Sequence, residues 1–251
     1  MANHMFEMGS KNRILLRGRQ AAERASWTSE FRANSRITDH RLIRKVQSAN
    51  GRVKRAFDII VSLSALIFLA PAFATIALLI KLTDPGPIFY RHLRIGRQGA
   101  RFECFKFRTM AVDSQERLAN ILSTDPHAAA EWRESQKLRR DPRVTQIGGF
   151  LRKSSLDELP QLFNVLRGDM SLVGPRPITR AELYRYGRER RYYLLVRPGI
   201  TGQWQVSGRS STGYEKRVQL DRQYLETWSW GKEIWILLMT IPAILKTRDA
   251  C

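Results

Sequence analysis

The sequence predicts a mainly α-helical chain with a small β-hairpin, an α+β fold in which a re-entrant helix hairpin enters and leaves a membrane on one face. Three observations lead there. Residues 59–80 carry no charge over 22 positions, with Pro71 near their middle. Two segments rich in aromatic and β-branched residues flank Gly96-Arg97-Gln98-Gly99. The charged stretch 113–140 and the segment after Ser154 carry helical patterns closed by proline and glycine.

Length and composition bound the rest. A chain of 251 residues holds one substantial core and an arm. Lys and Arg number 43 against 23 Asp and Glu, a formal charge of +20, so the partner is expected to be anionic: nucleic acid, a membrane surface or phosphorylated molecules. With 43% hydrophobic residues the chain as a whole is not disordered. Cys104 and Cys251 offer no disulfide framework, and His4, His40, His92 and His127 have no zinc-ligand spacing.

In chain order, residues 1–50 hold ten Lys/Arg and four Asp/Glu and no signal-peptide pattern, which reads as a disordered basic arm able to adhere to anionic lipid. Residues 51–83 are the membrane hairpin. The uncharged run is long enough to span, but six Lys/Arg in residues 41–55 and four in residues 81–97 make both flanks cytoplasmic by the positive-inside rule. Pro71 divides the run into arms of about 18 and 14 Å at 1.5 Å per residue, and neither crosses a core of ~30 Å. A hairpin kinked at Pro71 and anchored by Lys54 and Arg55 satisfies length, proline and charge; a single span satisfies length alone, and a buried core helix is the third reading.

After Asp84-Pro85-Gly86-Pro87, residues 88–94 and 101–107 pair as the β-hairpin. Residues 113–140 are helical, broken at Asp125-Pro126 and ended by Asp141-Pro142. Near the C-terminus, Trp228, Trp230 and Trp235 adjoin an apolar run, 234–245, too short to span; it is either core or an interfacial anchor.

The chemistry concentrates at Asp157-Glu158, preceded by Arg152 and Lys153. Ser155 and Glu158 have capping-box spacing, which needs no catalysis. Pro160 disfavours that register, because a helix capped by Ser155 would lose a hydrogen bond there. Adjacent acids can also bind a divalent cation, and a carboxylate can attack phosphorus to form an acyl phosphate. Capping and catalysis both stand at this level. Basic residues among prolines and glycines, in Lys106-Phe107-Arg108, Gly174-Pro175-Arg176-Pro177 and Arg197-Pro198-Gly199, suit phosphate binding. No P-loop, dinucleotide fingerprint or G-x-S-x-G is present.

Over residues 52–251 the chain resembles the bacterial sugar transferases, or monotopic phosphoglycosyl transferases. The resemblance rests on Lys54-Arg55-Ala56-Phe57-Asp58, the kinked apolar segment, Asp84-Pro85-Gly86-Pro87, Lys106 to Met110, Ser155 to Asn164, Gly168 to Pro177 and Arg197 to Gly202. Where the family usually has Ser-Pro at the kink, this chain has Ala70-Pro71. The resemblance implies a catalytic domain, 84–251, on the cytoplasmic face of the bacterial inner membrane. It would transfer hexose 1-phosphate, galactose or glucose, from a UDP-sugar to undecaprenyl phosphate with Mg²⁺, releasing UMP as the first step of exopolysaccharide synthesis. An N-acetylated sugar is the alternative. Asp157 would be the nucleophile and Glu158 its partner. Arg152, Lys106, Arg108, Pro175, Arg176 and Arg197 would contact substrate, and Asp221 would join Asp157 and Glu158 at the metal. Membrane lipids, a second copy of the chain and other polysaccharide assembly proteins are the implied partners. Against a nucleic-acid-binding protein, which +20 alone would favour, stands the uncharged segment; a non-catalytic membrane scaffold is the third reading, separated from an enzyme by whether the protein releases UMP.

Overall fold

The computed structural model describes residues 39–135, 138–208 and 213–245. Residues 1–38 and Cys251 lie outside them.

The part of the basic arm nearest the hairpin is ordered. Asp39 accepts from the backbone N–H groups of Arg41 and Leu42 and so caps α1, His40–Ala49. Leu42, Val46 and Ala49, at helical spacing, turn into the main core, which corrects the expectation of a disordered arm for these residues.

After Gly51 the chain forms α2, Arg52–Phe68, and α3, Ala70–Thr83. The helices up to Phe68 and from Ala70 meet at 61°. The break falls at Leu69, not at the proline; Pro71 takes the first turn of α3, where its missing N–H has no helical partner to lose. No single described helix is long and apolar enough to cross a membrane, and only this bent pair reaches the required length and composition together.

Helix α2 is amphipathic in the opposite sense from a water-soluble helix. Lys54, Asp58 and Ser62, four residues apart, are buried, whereas Ile60, Ile67 and Phe68 are 64%, 69% and 82% exposed. Lys54 donates to Asp58 Oδ1 at 2.8 Å and to Ser171 Oγ at 2.7 Å, and its ammonium lies 3.1 Å from Glu233 Oε2. Ser171 Oγ and the Leu172 N–H complete the shell of Asp58. Arg55 donates to the Val165 and Leu166 carbonyls, the open C-terminal end of a helix below. Lys54 and Arg55 are therefore internal ties to the rest of the chain and not exposed anchors in a headgroup layer.

The β-hairpin forms as expected, β1 (Phe89–Ile95) antiparallel to β2 (Arg101–Phe107), in the register Phe89 opposite Phe107 and Ile95 opposite Arg101. Gln98 at φ 58° turns the corner. Helices α4 (Ser114–Thr124) and α5 (Pro126–Ser135) follow, then α6 (Gln146–Ser154) and α7 (Gln161–Arg167). Gly168, at φ 89°, ends α7.

Two three-residue strands, β3 (Ser171–Val173) and β4 (Gly199–Thr201), pair in parallel; between them lie α8 (Arg180–Arg185) and α9 (Arg190–Leu195). A Cβ on Gly174 would lie 2.5 Å from the Arg197 carbonyl oxygen, and one on Gly199 would lie 2.1 Å from the Gly174 nitrogen. Glycine is thus required where these segments cross. Helices α10 (Gln203–Val206), α11 (Tyr214–Glu226) and α12 (Trp230–Leu245) complete the described residues. Helix α12 answers both readings of the apolar run: Ile236 is fully buried, and Trp235, Leu238 and Ile241 face outward.

Candidate active site

Lys106 and Arg108 stand two apart on one face of the extended chain, with Phe107 buried between them against α3 and α6. This edge of the hairpin is clamped by Asn164 of α7, which accepts from the Phe105 N–H at 2.9 Å and donates to the Glu103 carbonyl at 2.7 Å. Arg108 pairs with Asp84 of the Asp-Pro-Gly-Pro turn at 3.1 Å and also donates to its carbonyl.

Helix α6 brings up Arg152, whose Nε donates to Thr109 Oγ1 at 2.9 Å. A Cβ on Gly148 would fall 2.0 Å from the Thr109 carbonyl oxygen, so only glycine lets the helix close this far onto the chain after β2. The helix ends at Ser155 in the left-handed region, φ 57°, and a single 3₁₀ turn, Leu156–Glu158, carries both acids before Pro160 opens α7. Ser155 makes no side-chain cap and neither acid caps a helix here; the capping-box reading does not hold.

The acids converge on one ammonium. Lys106 Nζ lies 3.1 Å from Asp157 Oδ2 and 2.7 Å from Glu158 Oε1, and Arg176, just after β3, reaches the same Glu158 oxygen at 3.1 Å. Burial alone would raise the Glu158 carboxyl, but Arg176 and Lys106 outweigh it and hold the group at about 2. Burial raises Asp157, aided by the Glu158 charge and opposed by Lys106. Two adjacent carboxyls are thus pushed in opposite directions. Burial would lower Lys106, but the two carboxylates raise it.

These groups line a cleft of about 1140 Å³ shared by Lys106, Arg108, Arg152, Asp157, Glu158 and Arg176. Its wall also includes Ala65 and Leu69 from the bend between α2 and α3, and Thr240 and Ile244 of α12. Arg94, His92, Tyr90 and Gln115 line it as well. Arg94 touches the His92 ring nitrogen at 3.1 Å, and burial lowers that imidazole.

Three of the residues expected at the site are not brought here. Arg197 donates to the Gly168 carbonyl at 2.9 Å, and Pro175 accepts from the Gly199 N–H; both brace the β3–β4 crossing. Asp221 is buried beneath α8, accepting from the Tyr186 hydroxyl at 2.7 Å. Among the described residues no group of three or more His, Cys, Asp or Glu could hold a metal, so Asp221 does not complete a set with the pair. Burial pushes Asp221 up to about 6, against the pull of Tyr186 and Arg217. A raised carboxyl keeps its proton in the fold after the unfolded chain has lost it. Its stabilisation is complete below about pH 4 and declines by up to ~3 kcal/mol as pH rises through 6. In urea unfolding between pH 4.5 and 7, Asp221→Asn is expected to flatten that decline; an unchanged slope would show the carboxyl ionised throughout.

Asn164 and Glu233 are positioning residues that sequence reasoning left without a role. Both are fully buried. Each is a polar residue on a helix that is mainly apolar around it, Asn164 beside Phe163 and Val165 and Glu233 beside Ile234, and nothing in the sequence marks it as buried.

The sequence profile of bacterial sugar transferases matches residues 49–247. Among similar proteins are a UDP-galactose-lipid carrier transferase of Erwinia amylovora, 51% identical over 79% of this chain and 41% of its own length. The exopolysaccharide production protein ExoY of Rhizobium meliloti is 46% identical over 82% of this chain and 91% of its own. A UDP-glucose:undecaprenyl-phosphate glucose-1-phosphate transferase of Escherichia coli is 38% identical over 78% and 41%. The chain spans about two fifths of the length of the first and third of these relatives.

Proposed function

Because the chain belongs to the bacterial sugar transferase family, we propose that it moves a hexose 1-phosphate from a UDP-hexose onto undecaprenyl phosphate and releases UMP. One observation carries this reading. A single cleft joins an acid pair, a set of lysine and arginine cations and the bend of the apolar helix pair. A soluble diphosphate and a lipid-borne phosphate can therefore meet the same carboxylate. Galactose leads, since the relative named for UDP-galactose is 51% identical and the one named for UDP-glucose 38%.

In the proposed reaction the Asp157 carboxylate attacks the phosphorus that bears the sugar. An O–P bond forms to Asp157, the bridging P–O bond breaks, and UMP departs with the bridging oxygen and its electron pair. An oxygen of the lipid phosphate then attacks the same phosphorus, the bond to Asp157 breaks, and the carboxylate is restored. Lys106 and Arg176 keep Glu158 ionised and the pair oriented. Arg152 is held by the Thr109 hydroxyl and, among the described residues, by no ion pair, so its guanidinium is available to a phosphate.

Two adjacent carboxylates in an open cleft fit Mg²⁺, which takes one or two protein oxygens and leaves other positions to phosphate. Asp157 and Glu158 would hold it, and it would offset diphosphate charge. The reversed amphipathicity of α2 supports seating α2 and α3 in the cytoplasmic leaflet of the bacterial inner membrane.

A panel of UDP-sugars, each given with undecaprenyl phosphate in detergent or vesicles, tests the reading. UMP release with UDP-galactose or UDP-glucose, with label moving to the lipid, is expected. Release of UDP in place of UMP, or no reaction with any sugar, would overturn it.

A further inference from the structure

We propose that the opening between α1 and the start of α12 binds the phosphate of an anionic phospholipid. This rests on the membrane seating proposed above and adds a defined site to it. The opening, about 570 Å³, is lined by Arg41, Arg44, Lys45, Ser48, Trp228 and Trp230. Leu42 and Ala49 pin α1 to the core that holds Trp228 and Ile236, so the basic face cannot turn away. Lys45 is half-buried and donates to the Trp228 carbonyl at 2.6 Å. Arg41 and Arg44 are exposed, and among the described residues neither pairs with an acid. The neighbouring carboxylate, Asp39, is engaged in capping α1.

The other wall is aromatic. Trp230 packs edge-on against Trp228 at 5.8 Å and against Phe57 of α2 at 5.7 Å. From Trp230 the outward face of α12 continues through Trp235, Leu238 and Ile241, which are 48%, 58% and 62% exposed. The opening thus has guanidinium groups for a phosphate, the partly exposed indole of Trp230 beside them and an apolar track for acyl chains. Three cations without a carboxylate in the lining repel the ammonium of a zwitterionic headgroup, so the occupant is a lipid whose phosphate is its only charged group, such as phosphatidylglycerol.

Flotation of the full-length protein on phosphatidylcholine vesicles, and on vesicles of equal parts phosphatidylcholine and phosphatidylglycerol, tests this. Arg41→Gln/Arg44→Gln is compared with Arg188→Gln/Lys216→Gln, which removes the same charge from exposed positions outside the opening. The first pair is expected to weaken binding to the mixed vesicles by about 30-fold, to leave binding to phosphatidylcholine unchanged, and to retain UMP release in detergent. The second pair is expected to change binding to the mixed vesicles far less. Equal losses for the two pairs would reduce the site to diffuse surface charge, and equal wild-type affinity for both vesicles would show that binding does not sense lipid charge; either result would overturn the proposal while the membrane reading stands. Failure of the wild type to float with either vesicle would overturn the membrane reading, and this site with it.

Discussion

Asp157→Asn is expected to lower UMP release by at least about a thousandfold and to leave stability within about 1 kcal/mol of wild type. In the proposed reaction the first step forms an acyl phosphate on Asp157, which an amide of the same shape cannot do. Stability has little to lose. Asp157 caps no helix, and its side chain makes one ion pair, to a Lys106 that keeps Glu158 at 2.7 Å. Removing the charge also relieves a burial penalty that already pushes this carboxyl upward. Intact-protein and peptide mass spectrometry after exposure to UDP-hexose without lipid acceptor supplies the second readout. The wild type should gain one phospho-hexose on the peptide containing Asp157, and the variant none. A near-normal rate in a preparation shown by mass to be free of deamidation would remove Asp157 from the chemistry.

Lys54→Met is expected to destabilise the fold by about 3–5 kcal/mol. The ammonium is 2% exposed and bridges Asp58 and Glu233, which come from α2 and α12. Without it two buried carboxylates face each other with no cation, and burial of a lone charge costs far more than an ion pair contributes. The Tyr224 hydroxyl and the Trp228 indole N–H also donate to Glu233, so the loss spreads through the junction of α2, α11 and α12. Denaturant unfolding in detergent measures the change. Neutralising the whole group, Lys54→Met/Asp58→Asn/Glu233→Gln, should recover much of the loss. A single-variant effect below about 1 kcal/mol would mean that water reaches these charges.

Local features were legible in the sequence because their cause is local. The 22 uncharged residues, the aromatic strands about Gly96 to Gly99, the break at Asp125-Pro126 and the Asp157-Glu158 pair all depend on residues within a few positions of one another; the expected helix up to Asp141-Pro142 does not form to its end, because α5 is bounded by Ser135 and residues 138–140 are not helical. Capping against chemistry at Asp157 was not decidable at that level. It depended on where α7 begins, and the left-handed Ser155 and Pro160 place that start at Gln161.

Only tertiary structure sorted the charged residues. Arg152 and Arg197 look alike in the sequence, each a cation beside a structured motif; one lines the cleft and the other is spent on the Gly168 carbonyl. Asp221 looked like a third metal acid and is buried under Tyr186. Lys54 and Asp58 have the spacing of an exposed helical pair, yet both are buried, because Ser171 and Glu233, 117 and 179 positions from Lys54, arrive to receive them. The sequence by itself determined which segments are helix, strand and membrane-compatible, since periodicity and turn chemistry are properties of neighbours. Which charges meet a partner, and which are left to meet a substrate, was decided by contacts between distant segments, where burial makes an unpaired charge intolerable and so selects one arrangement.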